Sequence, residues 1–180
     1  MGEKMIIKGK NTDYQIRLAS QRELPDLKGV EQAAAKQFAA FGLAKVVNTT
    51  LPIETLAGAQ KRGHVWVIAA TSGEIAGFAL VSVVKERLHL EEIDIDPAHS
   101  RQGLGKALIG EICAWAGAAG FKTISLSTFK DIPWNAPYYE RLGFSVVPGQ
   151  ELNGDFLAIR EAEARAGLPV SRRVIMLKRL

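Results

Sequence analysis

Three groups of residues have types and spacings that could do chemistry. The first is Ser100-Arg101-Gln102-Gly103-Leu104-Gly105-Lys106, which runs directly into Leu104, Ala107, Leu108, Ile112, Trp115 and Ala119 on one helical face. A turn that opens a helix presents N–H groups at the positive end of the helix dipole, and glycine lets anionic oxygens approach the backbone closely. The chemistry of such a turn is anion binding. A dinucleotide fingerprint needs a third glycine where the chain has Leu108, and a Walker-type loop needs glycine at Ser100 and a hydroxyl at Ala107. Neither pattern fits, which leaves a phosphate cradle of another kind or a tight turn whose glycines only relieve crowding.

The second group lies just upstream, in Leu88 to Ile95. Counting back from Ile95 by twos places Ile93, Glu91 and His89 on one strand face and Asp94, Glu92 and Leu90 on the other. Carboxylates and imidazoles in such a place can accept or relay a proton, and a β-bulge would bring Glu92 onto the face of Glu91. The plainer alternative is that the acids are solvated or pair with Arg87 or Arg101, and that His89 is satisfied at the edge of the core. The third group is Tyr139 within Tyr139-Glu140-Arg141-Leu142-Gly143-Phe144, a phenol able to donate a proton or an aromatic ring packed under a short helix. His64, His89 and His99 stand apart from one another and from Cys113, a spacing that predicts no metal site.

The elements that must position these groups follow from periodicity. Tyr14 to Leu18 alternates as a strand, and Ser20 with Glu23 has capping-box spacing for a helix whose apolar positions run from Leu27 to Phe41 and stop at Gly42. A short helix follows over Ile53 to Arg62. His64 to Thr71 and Ile75 to Val84 form a hairpin across Ser72-Gly73, and Leu88 to Ile95 extends it. The long helix ends at Gly120, and Lys122 to Phe129 is a buried strand that pairs in parallel with the one before the glycine turn, since strand, helix, strand is the parallel crossover unit. A short helix over Ala136 to Leu142, a strand after Gly143, a polar helix over Asp155 to Ala166 and a strand over Val174 to Leu177 complete the chain.

Composition bounds the rest. The chain has 180 residues, 47% of them hydrophobic, with a net charge of +4. It reads as one domain over residues 14–180 behind an N-terminal tail, 1–13. Basic residues are scattered among acidic ones without interleaved aromatics, which argues against a nucleic-acid surface. No apolar run reaches the length of a membrane span or a signal peptide. The single cysteine, Cys113, reads as a core thiol, and the cytoplasm follows as the expected compartment.

Taken in order, Ile93-Asp94-Ile95-Asp96-Pro97, Arg101-Gln102-Gly103-Leu104-Gly105 and Tyr139-Glu140-Arg141-Leu142-Gly143-Phe144 resemble the GNAT superfamily of N-acetyltransferases. The resemblance implies an α/β (α+β) fold with a mixed central sheet: antiparallel N-terminal strands, a parallel pair splayed around the cofactor, and helices on both faces. It implies acetyl-CoA as co-substrate, with Ser100 to Lys106 (Ser100, Arg101, Gln102, Gly103, Leu104, Gly105 and Lys106) over the diphosphate. Ile93, Asp94 and Ile95 would run along the pantetheine arm through their main chain, the isoleucine side chains themselves reading as core. Tyr139 would sit at the sulfur as the acid. Glu91 and His89 match positions that hold acid–base groups in several family members, with Glu92 or a water as the other candidates for base. Ser100 stands where the family usually has Gln or Arg. Ile132 stands where it usually has a CoA-contacting asparagine, so that Asn135 either contacts CoA or caps the short helix.

The acceptor implied is an amine on a small molecule or a peptide. Residues 38–52 and 147–168 would build its pocket, with Phe129, Trp134 and Tyr138 as lining candidates and Asp131 and Glu151 as attractors of a cationic amine. Family members often form homodimers, but the sequence specifies no interface. Two rivals remain: a non-catalytic acyl-CoA binding or sensing domain, and a nucleotide-binding module built on the same turn.

Overall fold

Asp13–Leu18 (β2) buries Tyr14 and Ile16 and leaves Asp13, Gln15 and Arg17 partly exposed, the alternation expected of a strand with one covered face. This is seen in a computed structural model that describes residues 5–9, 12–43, 46, 48 and 50–180, Met5 by its backbone only. Part of the expected tail is a strand: Met5–Lys8 (β1) pairs antiparallel with β2. Residues 44, 45, 47 and 49, within the expected acceptor segment 38–52, lie outside the described residues.

By its contacts the chain divides into two compact units, one made of the chain up to Ser82 with Glu91–Ala114, the other of Val83–Leu90 with Trp115–Leu180. In the first unit, the backbone N–H of Ser20 donates to Glu23 at 2.7 Å, as the spacing predicted, and Arg17 grips the same carboxylate through both guanidinium nitrogens. That grip holds the Glu23 carboxyl down at about 2. The helix Leu24–Ala35 (α1) has Pro25 in its first turn, where the missing N–H is not needed. It stops earlier than its apolar pattern predicts: Lys36–Phe41 tightens into a 3₁₀ turn that Gly42 ends at φ +70°.

Leu24, Leu27 and Val30 of α1 pack with Leu56 and Ala59 of Ile53–Lys61 (α2), with Val65 and Val67 of Val65–Ala70 (β3), and with Phe78 and Leu80 of Ile75–Val84 (β4). Leu27 and Leu56 are fully buried. Truncating either to alanine costs about 2–5 kcal/mol. The hairpin between β3 and β4 closes as expected, with Gly73 at φ +93°.

Gly77 in β4 has a particular use. A Cβ there would lie 2.7 Å from the carbonyl oxygen of Asp94 and 2.5 Å from Cδ1 of Ile95. Only glycine admits the end of Arg87–Ile95 (β5) this close, and the N–H of Asp96 then donates to the carbonyl of Ala76 at 2.9 Å.

In the second unit, β5 pairs in parallel with Thr123–Phe129 (β6), from Leu88↔Ile124 to Leu90↔Leu126. The long helix Leu104–Ala118 (α3), which belongs to the first unit up to Ala114, is the crossover that a parallel pair requires. Arg173–Arg179 (β8) runs antiparallel to β6 along its whole length and carries the short Ser145–Val146 (β7) on its other edge. Ala136–Glu140 (α4) is shorter than expected, and Gly154–Arg165 (α5) is tied to β8 by a nearly buried Arg173–Glu163 pair at 2.8 Å.

Among the described residues, eight strands hydrogen-bond in the order β1-β2-β3-β4-β5-β6-β8-β7. The mixed sheet, antiparallel at the N-terminal side and parallel at β5–β6, is the one the sequence predicted. One core assignment is corrected: Cys113 is partly exposed, because α3 turns Leu108, Ile109, Ile112 and Ala116 inward and leaves position 113 beside that stripe. Among the described residues, no helix is long and apolar enough to cross a membrane.

Candidate functional site

In the first unit, the chain leaves β5 through Pro97–His99, a 3₁₀ turn that Asp96 caps by accepting from the N–H of Ala98 at 2.8 Å. Ser100 is extended, Arg101 is left-handed at φ +59° and Gly103 at φ +77°, and α3 begins at Leu104. Left-handed backbone is ordinary for Gly103 and strained for Arg101. Ala107 donates to the carbonyl of Gly103 at 3.0 Å. The N–H groups of Leu104, Gly105 and Lys106 are therefore those that an α-helix leaves without an intrahelical acceptor, and the dipole adds to their pull on an anion. Leu104 is buried and anchors the turn, whereas Ser100, Arg101 and Lys106 are exposed. The side chain of Gln102 bonds inward, to Tyr14.

The strand before the turn sorts its polar groups by burial. Glu91 is exposed and accepts a hydrogen bond from Ser82 Oγ. Ile93 and Ile95 are partly exposed, so their side chains are not the core residues expected. Asp94 has its carboxyl held well above the usual carboxylate range, first by lost hydration and then by the charges of Glu92 and Glu31. Glu31 is buried in α1 and accepts from the N–H of Leu51 at 2.9 and 3.1 Å, with lost hydration raising its own carboxyl. Sequence reasoning missed Glu31. The signal was a charged residue inside the apolar stripe Leu27, Val30, Glu31, Ala34.

The second unit holds His89, Asn135 and Tyr139. His89 is buried between Leu88 and Leu90, with Nδ1 2.9 Å from Ser125 Oγ. Shared strand periodicity with Glu91 does not give it a shared environment, because both faces of β5 are covered at this end. Asn135 occupies the N-cap position of α4, and its main-chain carbonyl accepts from Tyr138 and Tyr139. Its side chain makes no capping bond; Oδ1 accepts instead from Thr128 Oγ1 of β6 at 2.6 Å. The side-chain cap is thereby corrected, since burial against β6 turns the amide away from the helix end.

Tyr139 is partly exposed, its ring set edge-on to Tyr138 at 5.5 Å and to Phe144 at 5.8 Å. Burial pushes the Tyr138 hydroxyl up. Of the expected acceptor-side residues, Phe129 is buried under the Arg173 guanidinium at 4.7 Å. Asp131 is bound to Arg172 at 2.8 Å, which lowers its carboxyl, and Glu151 is exposed. A groove of about 750 Å³ in this unit, lined in part by Lys85, Arg87, Phe121, Lys122 and Asp155, takes only Asp155 from the expected acceptor segment 147–168 and none of the expected catalytic or CoA-binding residues. Among the described residues no group of His, Cys, Asp or Glu is arranged to hold a metal ion.

The model of the acetyltransferase (GNAT) family matches residues 31–144. Glucosamine 6-phosphate N-acetyltransferase of Trypanosoma brucei brucei is 40% identical over 57 residues, covering 31% of this chain and 36% of that protein. The [ribosomal protein bS18]-alanine N-acetyltransferase of Escherichia coli (strain K12) is 34% identical over 74 residues, 41% of this chain and 50% of that protein. The chain thus spans half or less of the length of these curated relatives. Among solved structures, the PaiA N-acetyltransferase of Thermoplasma acidophilum in complex with coenzyme A shares the fold with a TM-score of 0.70 at 16% identity, covering 93% of this chain and 99% of that one.

Proposed function

The chain belongs to the acetyltransferase (GNAT) family, and from that premise we propose that it moves an acetyl group from acetyl-CoA to a primary amine by direct attack on the thioester. The observation that carries this reading is the turn before α3, whose left-handed Arg101 and Gly103 lead into three N–H groups at a helix start. Such a turn suits a diphosphate held by main chain. Ser100, Arg101 and Lys106 add exposed polar and cationic groups around it. The main chain of Ile93, Asp94 and Ile95 serves the pantetheine arm as an added strand would.

Proton transfers then have two carriers. A peptide α-amine holds its proton below about pH 8 and a lysine side chain below about pH 10, so a base is needed before the C–N bond can form. We assign that role to the Glu92–Asp94 pair, acting directly or through a water. Lost hydration and the charges of Glu92 and Glu31 hold the Asp94 carboxyl well above the usual carboxylate range, which makes it a stronger base than an ordinary carboxylate once ionised. Glu91 is bonded to Ser82 and His89 to Ser125, which makes each the weaker candidate. As the C–S bond breaks, the departing thiolate takes a proton from Tyr139, and the second proton lost by the acylated nitrogen restores the phenol. Asn135 retains its amide N–H groups for CoA while its oxygen is held by Thr128.

The relatives' names join one family to a sugar amine and to a protein alanine, so the acceptor here is assigned only as a primary amine. We place the reaction in the cytoplasm, where a lone thiol such as Cys113 stays reduced. The test is to offer amino sugars, amino acids, peptide N-termini and lysine peptides with acetyl-CoA and to follow free thiol. Acceptor-dependent thiol release is expected. Tight CoA binding with no release for any amine would instead mark a sensing domain, and thermal protection by ATP or NAD but not by CoA would mark a nucleotide-binding module.

A further inference from the structure

A chain of hydrogen bonds behind the glycine turn has no part in the roles assigned so far. Gln102 Nε2 lies 3.0 Å from the Tyr14 hydroxyl, and that hydroxyl lies 2.9 Å from Nδ1 of His99. Nε2 of His99 faces Glu74 Oε1 at 3.4 Å. Gln102 Nε2 also reaches the His99 carbonyl at 3.4 Å. An amide nitrogen only donates, so the Tyr14 oxygen accepts from Gln102. An ionised carboxylate only accepts, so Glu74 faces the Nε2–H of His99, and in the neutral imidazole Nδ1 then accepts from the Tyr14 hydroxyl.

The members are well fixed. Tyr14 is 2% exposed in β2, and its ring meets the His99 ring edge-on at 5.7 Å. A Cβ on Gly9 would lie 2.5 Å from the Tyr14 ring and 3.0 Å from Gln102 Oε1, so the backbone at Gly9 closes over the same pair. Gln102 sits between left-handed Arg101 and left-handed Gly103. It is the one side chain of that three-residue stretch turned inward, and the bond from Gln102 to Tyr14 ties the turn to a strand 88 residues earlier in the chain.

We infer that Tyr14 and His99 are positioning residues for CoA binding: through Gln102 they hold the Ser100–Lys106 turn in the shape that presents its main-chain N–H groups to a diphosphate. The inference rests on the proposed role of that turn. Arg101 in a left-handed conformation is costly, and a turn of that shape persists only where its surroundings fix it. Gln102 thereby acts behind the binding surface.

Calorimetric titration of CoA into the full chain tests this, with stoichiometry reporting the folded fraction and Kd reporting the turn. Tyr14→Phe and His99→Leu each break the bond chain and should weaken CoA binding about tenfold at unchanged stoichiometry. His99→Asn restores an acceptor near the place of Nδ1 and should return Kd to within about twofold of wild type, a rescue that a merely space-filling role does not predict. Unchanged Kd in Tyr14→Phe and His99→Leu, an asparagine variant as weak as the leucine one, or lost stoichiometry at constant Kd would each overturn the inference. A wild-type protein that does not bind CoA at all would sink the proposed function, and the positioning role with it.

Discussion

The turn Ser100–Lys106 and the strand Arg87–Ile95 adjoin in sequence yet present their chemistry by different means. The turn offers main-chain N–H groups, shaped by the left-handed Arg101 and Gly103 and the start of α3 and held from behind by the bond of Gln102 to Tyr14. The strand offers side chains, and what each can do depends on neighbours from other elements: Ser82 for Glu91, Ser125 for His89, Glu31 for Asp94. The turn works through its main chain and loses function where its shape is lost; the strand works through side chains and loses function where one of them is removed. Substitutions in the two regions should therefore fail in different ways, the turn through affinity and the side chains through turnover.

The largest effect is expected at a side chain. Tyr139→Phe should lower turnover on the order of a hundredfold while CoA affinity stays near wild type, since only the proton donor is removed. Unchanged turnover would take the acid role from Tyr139. Next comes Gly103→Val, which should weaken CoA binding on the order of tenfold with turnover at saturating acetyl-CoA little changed. No heavy atom lies within 4 Å of a Cβ placed there, so the loss would come from backbone strain at φ +77° and not from a clash. Equal loss of turnover and affinity would erase the contrast between the regions.

Asp94→Asn should lower turnover several-fold and change the pH dependence of stability. A carboxyl whose folded pKa is raised binds more protons folded than unfolded, so it costs stability progressively as pH climbs from its unfolded value through the folded one. The asparagine variant removes that loss and should unfold at a higher temperature than wild type at neutral pH, with the advantage shrinking in acid. A pH-independent difference would contradict the origin given for the shift. The smallest effect is expected for Glu91→Gln, whose exposed carboxylate already answers to Ser82: turnover within about twofold of wild type. A large loss there would return the base to Glu91.

What the sequence made legible follows the same divide. The capping box at Ser20 and Glu23, the hairpin at Gly73, the parallel crossover through α3 and the glycine turn all rest on short-range patterns, and each stands where those patterns put it. His89 and Glu91 share a face by periodicity but not an environment, because burial changes along β5 within two residues. The Asn135 amide turns to Thr128 because β6 lies against it, which no spacing announces. Glu31 was visible only as an anomaly in an apolar stripe, and its meaning came from Leu51 and Asp94. β1 fell within an apparent tail because four residues carry too little periodicity to stand out.

The account depends most directly on where the diphosphate of CoA lies, and a crystal structure of the protein with coenzyme A measures that. The prediction is diphosphate oxygens about 2.7–3.2 Å from main-chain nitrogens between Gly103 and Lys106, with Gln102 still bonded to Tyr14. Coenzyme A bound elsewhere, or a protein side chain occupying the turn while CoA is present, would contradict it.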